Sequence, residues 1–153
     1  MKTLSKGLLS GFILLAVSVL PCLAQVPDVN TLVDQFKQAT DLKRVEMAKD
    51  SFGKDLSAGG KVANVEEYNF FNEKKDLSRQ YFRVTAEVQN TAGNTPYQVN
   101  FLFKDLNAVK DIAKGQKIQE TGKVIKLTDE RLQIALWLYI GELSPEEKDL
   151  FLN

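Results

Sequence analysis

The chain has 153 residues, with 20 basic and 20 acidic side chains, one cysteine and no histidine. This length suits a single domain, and the balanced charge without a long basic run lacks the electrostatic footprint of a duplex-binding protein. Without histidine, the chain has no Ser-His or Cys-His nucleophile pair and no histidine metal ligand. EF-hand spacing is also absent, so we predict neither a metal site nor a cofactor.

The first 24 residues have the pattern of a secretory signal peptide. Lys2 and Lys6 form a positive start, residues 8–20 are apolar but short for a membrane span, and Ala24 ends a stretch suited to cleavage. Cys22 follows a proline, which is a poor match to a lipoprotein signal. We therefore expect a periplasmic or secreted protein without a lipid anchor or a stable membrane span, the alternative being an uncleaved anchor. Cleavage after Ala24 leaves a net charge of −2 and no cysteine.

Residues 30–50 carry apolar side chains at three- and four-residue steps, among them Leu32, Phe36 and Val45, which predicts helices. Thr40 is a suitable N-cap for a second helix, and Gly53 a left-handed stop. After Gly53 the apolar residues recur at every second position, which is the period of a β-strand. Alternation predicts five strands, over residues 54–71, 79–89, 97–104, 117–127 and 131–140.

Two shorter segments complete the predicted elements. Residues 106–114 are expected to form a short helix, and residues 128–130 a turn. Ser144-Pro-Glu-Glu is a capping box with proline at the first helical position, so a C-terminal helix follows. The predicted divisions after the signal peptide are a helical extension, a barrel and a C-terminal helix, at residues 25–52, 53–143 and 144–153.

One frame occurs twice in the chain: GKDLSAGGKV begins at Gly53 and GQKIQETGKV at Gly115, each with six residues between Gly and Gly-Lys-Val. A phosphate-binding loop has four residues between Gly and Gly-Lys and then Ser or Thr, so neither stretch fits it. The element order instead predicts a mainly β fold with flanking helices: a five-stranded OB-fold Greek-key barrel with an α-helix between strands three and four and an N-terminal helical extension. In such a barrel the first and fourth strands coil sharply, and we predict that the repeated glycines permit this bend.

A resemblance to a known family rests on several stretches after the first helix. They are Phe-Gly-Lys, Gly-Lys-Val-Ala-Asn-Val, Tyr-Phe-Arg-Val-Thr-Ala-Glu-Val and the second glycine frame. Together they resemble the tRNA_anti-like OB-fold family over roughly residues 30–140. Its members are small and often exported bacterial proteins. The resemblance implies an exported OB barrel and supplies no catalytic residues.

An OB-fold binds its ligands on the outer face of strands two and three and on the flanking loops. By alternation that face carries Tyr81, Arg83, Thr85, Gln98 and Asn100. The flanking loops add Lys74, Lys75, Arg79 and Arg131. Such aromatic, basic and amide side chains can stack on a base or a sugar and bond its edges, although an ordinary solvated sheet face carries the same residue types.

Trp137 and Tyr139 lie opposite the apolar face of the fifth strand. The N-terminal helix needs an apolar partner, so we expect it to pack on these two rings. If the rings are left uncovered, they form a partner site instead, because a large exposed aromatic pair promotes association.

The sequence therefore favours an exported, non-catalytic binding module whose partner is a protein or another macromolecule. The first alternative is single-stranded nucleic-acid binding on the same face, which the fold favours and export and a net charge of −2 disfavour. The second alternative is a metal-dependent OB-type hydrolase. It requires an acidic cluster near a basic residue, which the sequence does not locate.

Overall fold

The computed structural model describes residues 28–89, 95–130 and 133–152, so the predicted signal peptide and Arg131 lie outside the described residues. Two helices come first, α1 at Val29–Gln38 and α2 at Asp41–Ser51. The five strands are β1 at Asp55–Asn72, β2 at Leu77–Val88, β3 at Tyr97–Phe103, β4 at Lys117–Glu130 and β5 at Gln133–Tyr139. Helix α3 follows at Pro145–Phe151.

The strands close into a barrel in the order β1-β2-β3-β5-β4, with β4 pairing back onto β1. All neighbours are antiparallel except β3 and β5, which are parallel. This confirms the predicted mainly β, five-stranded OB barrel. In the described ranges, no helix is both long and apolar enough to cross a membrane.

The connection between β3 and β4 differs from the prediction. It contains one three-residue 3-10 helix at Leu106–Ala108 instead of an α-helix over residues 106–114. The Asp105 side chain accepts a hydrogen bond from the backbone N–H of Asn107 at 2.9 Å, which favours a tight turn. Val109 then enters the barrel core, and the next backbone bonds, from the N–H of Ile112 to the carbonyl of Val109 and from that of Gln116 to Ala113, close three-residue turns instead of an α-helix. The predicted turn at residues 128–130 is also wrong, because β4 continues through it.

The repeated glycine frame has the same geometry in both places. Gly53 and Gly115 precede β1 and β4 with φ values of 75° and 87°, in the left-handed region that favours glycine. The N–H of Gly53 donates to the carbonyl of Val124 at 2.8 Å, and that of Gly115 donates to the carbonyl of Val62 at 2.7 Å. The start of each frame is therefore hydrogen-bonded to the valine that ends the other.

The second glycine of each frame lies against the backbone of a third strand. A Cβ atom on Gly60 would lie 2.7 Å from the carbonyl oxygen of Glu87, and one on Gly122 would lie 2.7 Å from that of Tyr139. The strand register shifts immediately after each Gly-Lys-Val, at Ala63 and at Ile125, which marks a β-bulge in both strands. The frame marks sharply bent barrel strands, as predicted.

The core fills the barrel with alternate residues of every strand. Its fully buried members include Val84, Ala86, Val99, Phe101, Leu136 and Leu138. The apolar side of α1 joins this cluster through Leu32, Val33 and Phe36, so α1 closes one end of the barrel.

Thr40 caps α2 as predicted, with its side-chain oxygen 3.4 Å from the N–H of Lys43. Val45, which the helical pattern placed on the apolar side, is largely exposed on α2.

Candidate binding face

Helix α3 lies on one half of the barrel's outer face. It begins with the predicted capping box and packs Phe151 onto three rings of the sheet. The ring centroid of Phe151 lies 4.9 Å from that of Phe70, 5.6 Å from that of Tyr81 and 5.7 Å from that of Tyr139. Tyr81 is consequently 0% exposed, and its predicted place on an open ligand face is wrong. Alternation gave the correct side of the sheet, but α3 covers that side at Tyr81.

Two buried polar side chains hold α3 in place. The amide nitrogen of Asn72 donates to the carbonyls of Asp149, Leu150 and Leu152 at 2.9 to 3.0 Å, which satisfies the C-terminal end of the helix. At the other end, Glu147 is 0% exposed and accepts hydrogen bonds from the Tyr139 hydroxyl and the Ser144 N–H at 2.7 and 2.9 Å.

Glu147 is also the charged centre of this contact. Its carboxylate lies 2.6 Å from the ammonium of Lys104. Burial on its own raises the pKa of Glu147, but the hydrogen bonds from Lys104, Ser144 and Tyr139 outweigh it and lower the pKa to about 2. Burial, followed by the charge of Glu147, raises the pKa of Tyr81 to about 12. The two ends of α3 are thus fixed by specific bonds, which makes the helix an integral part of the barrel surface.

The other half of the outer face is not covered by α3. There, one row of paired residues crosses four strands, from Thr85 on β2 through Asn100 on β3 and Trp137 on β5 to Lys126 on β4. Side chains from the neighbouring rows lean onto this row. We call the whole set the Trp137 patch; its members are Glu66, Tyr68, Arg83, Thr85, Gln98, Asn100, Lys126, Glu130 and Trp137.

Two cations stack on the aromatic centre of the Trp137 patch. The guanidinium carbon of Arg83 lies 4.4 Å from the ring centroid of Tyr68 and 5.4 Å from that of Trp137. The ammonium of Lys126 lies 5.5 Å from the Trp137 centroid. Such cation–π contacts contribute roughly 0.5–2 kcal/mol each, depending on how far the cation is desolvated. Trp137 itself is only 3% exposed beneath them.

Each of these cations also has an acidic partner. Arg83 forms an ion pair with Glu66, and Lys126 forms one with Glu130 at 3.1 Å. Burial works against the ionised form of Glu130, yet hydrogen bonds from Thr128 and Lys126 keep its pKa below the ordinary value. The charged groups of the patch therefore balance to zero.

Asn100 lies beneath this surface and is 0% exposed, so the prediction that it is openly displayed is wrong. Its side-chain oxygen accepts from the Thr85 hydroxyl at 2.9 Å and from the Gln98 amide at 3.0 Å. These two neighbours close over it, because Thr85 is its direct pair on β2 and Gln98 lies in the adjacent row, both within reach of polar side chains on one face of a sheet. Thr85 and Gln98 remain partly exposed.

The predicted loop cations serve different purposes. Arg79 pairs with Glu146 at 2.9 Å and Lys75 pairs with Asp149 at 2.6 Å, so both bind α3. Lys74 is exposed in the turn between β1 and β2.

The expectation that the N-terminal helix covers Trp137 and Tyr139 is wrong: α3 covers Tyr139, and side chains of β1, β2 and β4 cover Trp137. Helix α1 is unavailable for this because it closes the barrel end.

Sequence reasoning missed four members of the patch: Glu66, Tyr68, Lys126 and Glu130. The signal for the first two was present, since Glu66 and Tyr68 keep the period of two after the bulge at Ala63. Lys126 could not be assigned to this face from the sequence, because the bulge at Ile125 adds one residue and shifts the alternation of β4 by one. Within the described part of the chain, no group of three or more acidic, histidine or cysteine side chains is placed to hold a metal ion.

Among solved structures, nine chains are similar to this one, including the following two. A proposed nucleic acid-binding lipoprotein from Klebsiella pneumoniae has 19% identity and a TM-score of 0.47, over 72% of this chain and 84% of that one. The mitochondrial single-stranded DNA-binding protein Rim1 of S. cerevisiae has 10% identity and a TM-score of 0.34, over 56% and 87%. No family model and no curated protein sequence matches the chain. Membership of the tRNA_anti-like family therefore stays a prediction.

Proposed function

We propose that this protein is an exported, non-catalytic OB-fold module of the tRNA_anti-like type that binds a macromolecular partner through the Trp137 patch. One observation carries the proposal: α3 covers the Tyr81 half of the barrel's ligand face and leaves the Trp137 half open. OB-folds bind on this face, so the open half is the part that a partner can reach. The patch offers aromatic, cationic and amide groups within one continuous surface.

A protein is the favoured partner because of the charge of the patch. Arg83 and Lys126 are each neutralised by a carboxylate, so no excess positive charge is available for a polyanion. Aromatic rings and arginine surrounded by paired charges are typical of the central part of a protein interface.

The test is capture of the partner from an envelope extract by the immobilised protein. The double variant Arg83→Ala with Lys126→Ala removes two partly exposed side chains of the patch and leaves the barrel core intact. The control variant, Lys37→Ala with Lys49→Ala, removes the same number of cations from exposed positions on α1 and α2. The proposal predicts loss of the captured partner with the first pair and retention with the second. Equal capture by both variants would show that the patch is not the binding face.

Single-stranded nucleic-acid binding is the second candidate, favoured by the cations stacked on Trp137. Bases stack on aromatic side chains, and arginine adds cation–π attraction. This candidate predicts that a thymidine decanucleotide perturbs the amide NMR signals of Arg83, Gln98 and Asn100 at low salt. It also predicts that affinity falls steeply as salt rises. Spectra that do not change on addition of the oligonucleotide would remove this candidate.

A further inference from the structure

Two buried hydrogen-bond donors of the Trp137 patch have no acceptor among the described residues. They are the side-chain nitrogen Nδ2 of Asn100 and the indole nitrogen Nε1 of Trp137. The orientation of the Asn100 amide is fixed by its oxygen, which already accepts from Thr85 and Gln98, so its nitrogen must point elsewhere. A buried donor without an acceptor is unfavourable, and native proteins contain few of them.

The two donors belong to directly paired residues. Asn100 on β3 and Trp137 on β5 face each other in the parallel register, and paired strands lie about 4.8 Å apart. A carbonyl oxygen has two lone pairs and can accept from two donors at once. A single carbonyl group that reaches both side chains would satisfy both nitrogens.

The chemistry around the donors restricts what carries that carbonyl. Both cations have carboxylate partners, so the site does not select an anion. The Asn100 oxygen is fully used, so the centre of the site offers no acceptor to a ligand. A nucleotide brings phosphates that find no unpaired cation in the patch.

An extended segment containing proline meets these requirements. Proline has no backbone N–H, and a polyproline II segment makes no internal hydrogen bonds, so its carbonyls are free to accept. Its rings are apolar and pack on aromatic side chains, as in other proteins that read such segments. Tyr68 and Trp137, with ring centroids 5.4 Å apart, provide the aromatic surface.

We propose that the Trp137 patch recognises an extended, proline-containing segment of its protein partner, with one carbonyl of that segment accepting hydrogen bonds from both Asn100 and Trp137. This inference rests on the proposed function and names the chemistry of the partner. Access requires that Arg83 and Lys126, whose side chains are 23% and 38% exposed, move off Trp137, and that Gln98 moves off Asn100. Long cationic side chains reorient readily, and their apolar stems can then flank the bound segment.

The first experiment uses the fluorescence of Trp137, which is the only tryptophan in the chain. A decaproline peptide is titrated into the purified protein, with a Gly-Ser decapeptide, chitotetraose and a thymidine decanucleotide as comparison ligands. We expect a saturable change in emission with decaproline alone. A response to chitotetraose or the oligonucleotide in place of decaproline would overturn the proposal, as would equal responses to decaproline and the Gly-Ser peptide.

A matched pair of variants tests the hydrogen bonds themselves. Asn100→Asp keeps the shape and the oxygen that Thr85 and Gln98 bond, but it replaces the donor with an acceptor. We expect affinity for decaproline to fall at least about tenfold, as for a lost buried hydrogen bond. Asn69→Asp makes the same change at an exposed position on the other face of β1 and should bind like the wild type. Wild-type affinity in a folded Asn100→Asp variant would overturn the proposal.

If Asn100→Asp does not fold, Trp137→Phe provides a second test, because it removes only the indole donor and part of the ring. Binding of decaproline to this variant is measured by calorimetry, and its affinity should also fall; undiminished affinity would overturn the proposal.

Failure of the proposed function is distinguishable from failure of this inference. If partner capture still depends on Arg83 and Lys126 while decaproline does not bind, only the inference falls.

Discussion

Glu147 is the buried carboxylate that fixes the start of α3 on the barrel, and replacing it with glutamine tests how much this contact contributes to stability. The variant keeps the volume of the side chain but removes its charge next to Lys104. The pKa of Glu147 is lowered from 4.5 to about 2 in the folded protein. A shift of this size corresponds to about 3 kcal/mol of folding free energy at neutral pH.

The direction of the pH effect follows from the lowered pKa. The folded state binds the proton more weakly than the unfolded state, so the stabilisation is fully present above pH 4.5 and is lost as the pH falls towards 2. At pH 3 the unfolded carboxyl is mostly protonated while the folded one is mostly ionised. About 2 kcal/mol of the stabilisation should then be lost.

Urea unfolding at pH 7 and pH 3 measures both effects. We expect Glu147→Gln to be about 3 kcal/mol less stable than the wild type at pH 7, and the difference to shrink by about 2 kcal/mol at pH 3. Glu146→Gln is the control, since Glu146 is 78% exposed and its removal should change stability by less than about 1 kcal/mol. A difference between wild type and Glu147→Gln that is the same at both pH values would refute the argument.

Three further changes test the packing of the barrel and of α3. Phe151→Ala should lower the free energy of unfolding by about 3–5 kcal/mol in urea denaturation, whereas Leu152→Ala, half exposed, should stay within about 0.5 kcal/mol; similar losses would mean that α3 is not packed as described. Gly60→Ala should destabilise by more than about 1 kcal/mol, because its Cβ would lie 2.7 Å from the carbonyl of Glu87, and an unchanged melting temperature would contradict this close approach. Asn72→Ala removes three hydrogen bonds to the end of α3 and should speed amide hydrogen exchange in that helix before the barrel strands; unchanged exchange would show that Asn72 does not hold it.

The fold could be predicted from the sequence because its signals are local. Alternation placed Val84 and Phe101 in the barrel, and the two glycine frames identified the strands that bend sharply. Positions with a positive φ value or a close backbone neighbour accept only glycine without strain. The glycines are therefore a signal that can be read from a single sequence. The 3-10 segment at Leu106–Ala108 could not be recognised, since its backbone bonds join residues three apart and the spacing of apolar residues does not distinguish these from α-helical bonds.

The binding face was predicted less completely, because its members depend on contacts between distant parts of the chain. Nothing near Tyr81 in the sequence indicates that Phe151 covers it. The burial of Asn100 likewise depends on Thr85, its pair on the neighbouring strand β2, and on Gln98 in the next row. The bulge at Ile125 moves Lys126 onto the face of Trp137, and a bulge position is set by strand pairing and not by the local residue pattern.

The central claim is that partners bind at the Trp137 patch, and site-specific photo-crosslinking tests it most directly. A photoreactive amino acid replaces Gln98, which is partly exposed in the patch, or Glu46, which is exposed on α2. After irradiation in an envelope extract, we expect a covalent adduct of defined mass from position 98 and none from position 46. An adduct from position 46 alone would place the partner elsewhere on the molecule and contradict the account.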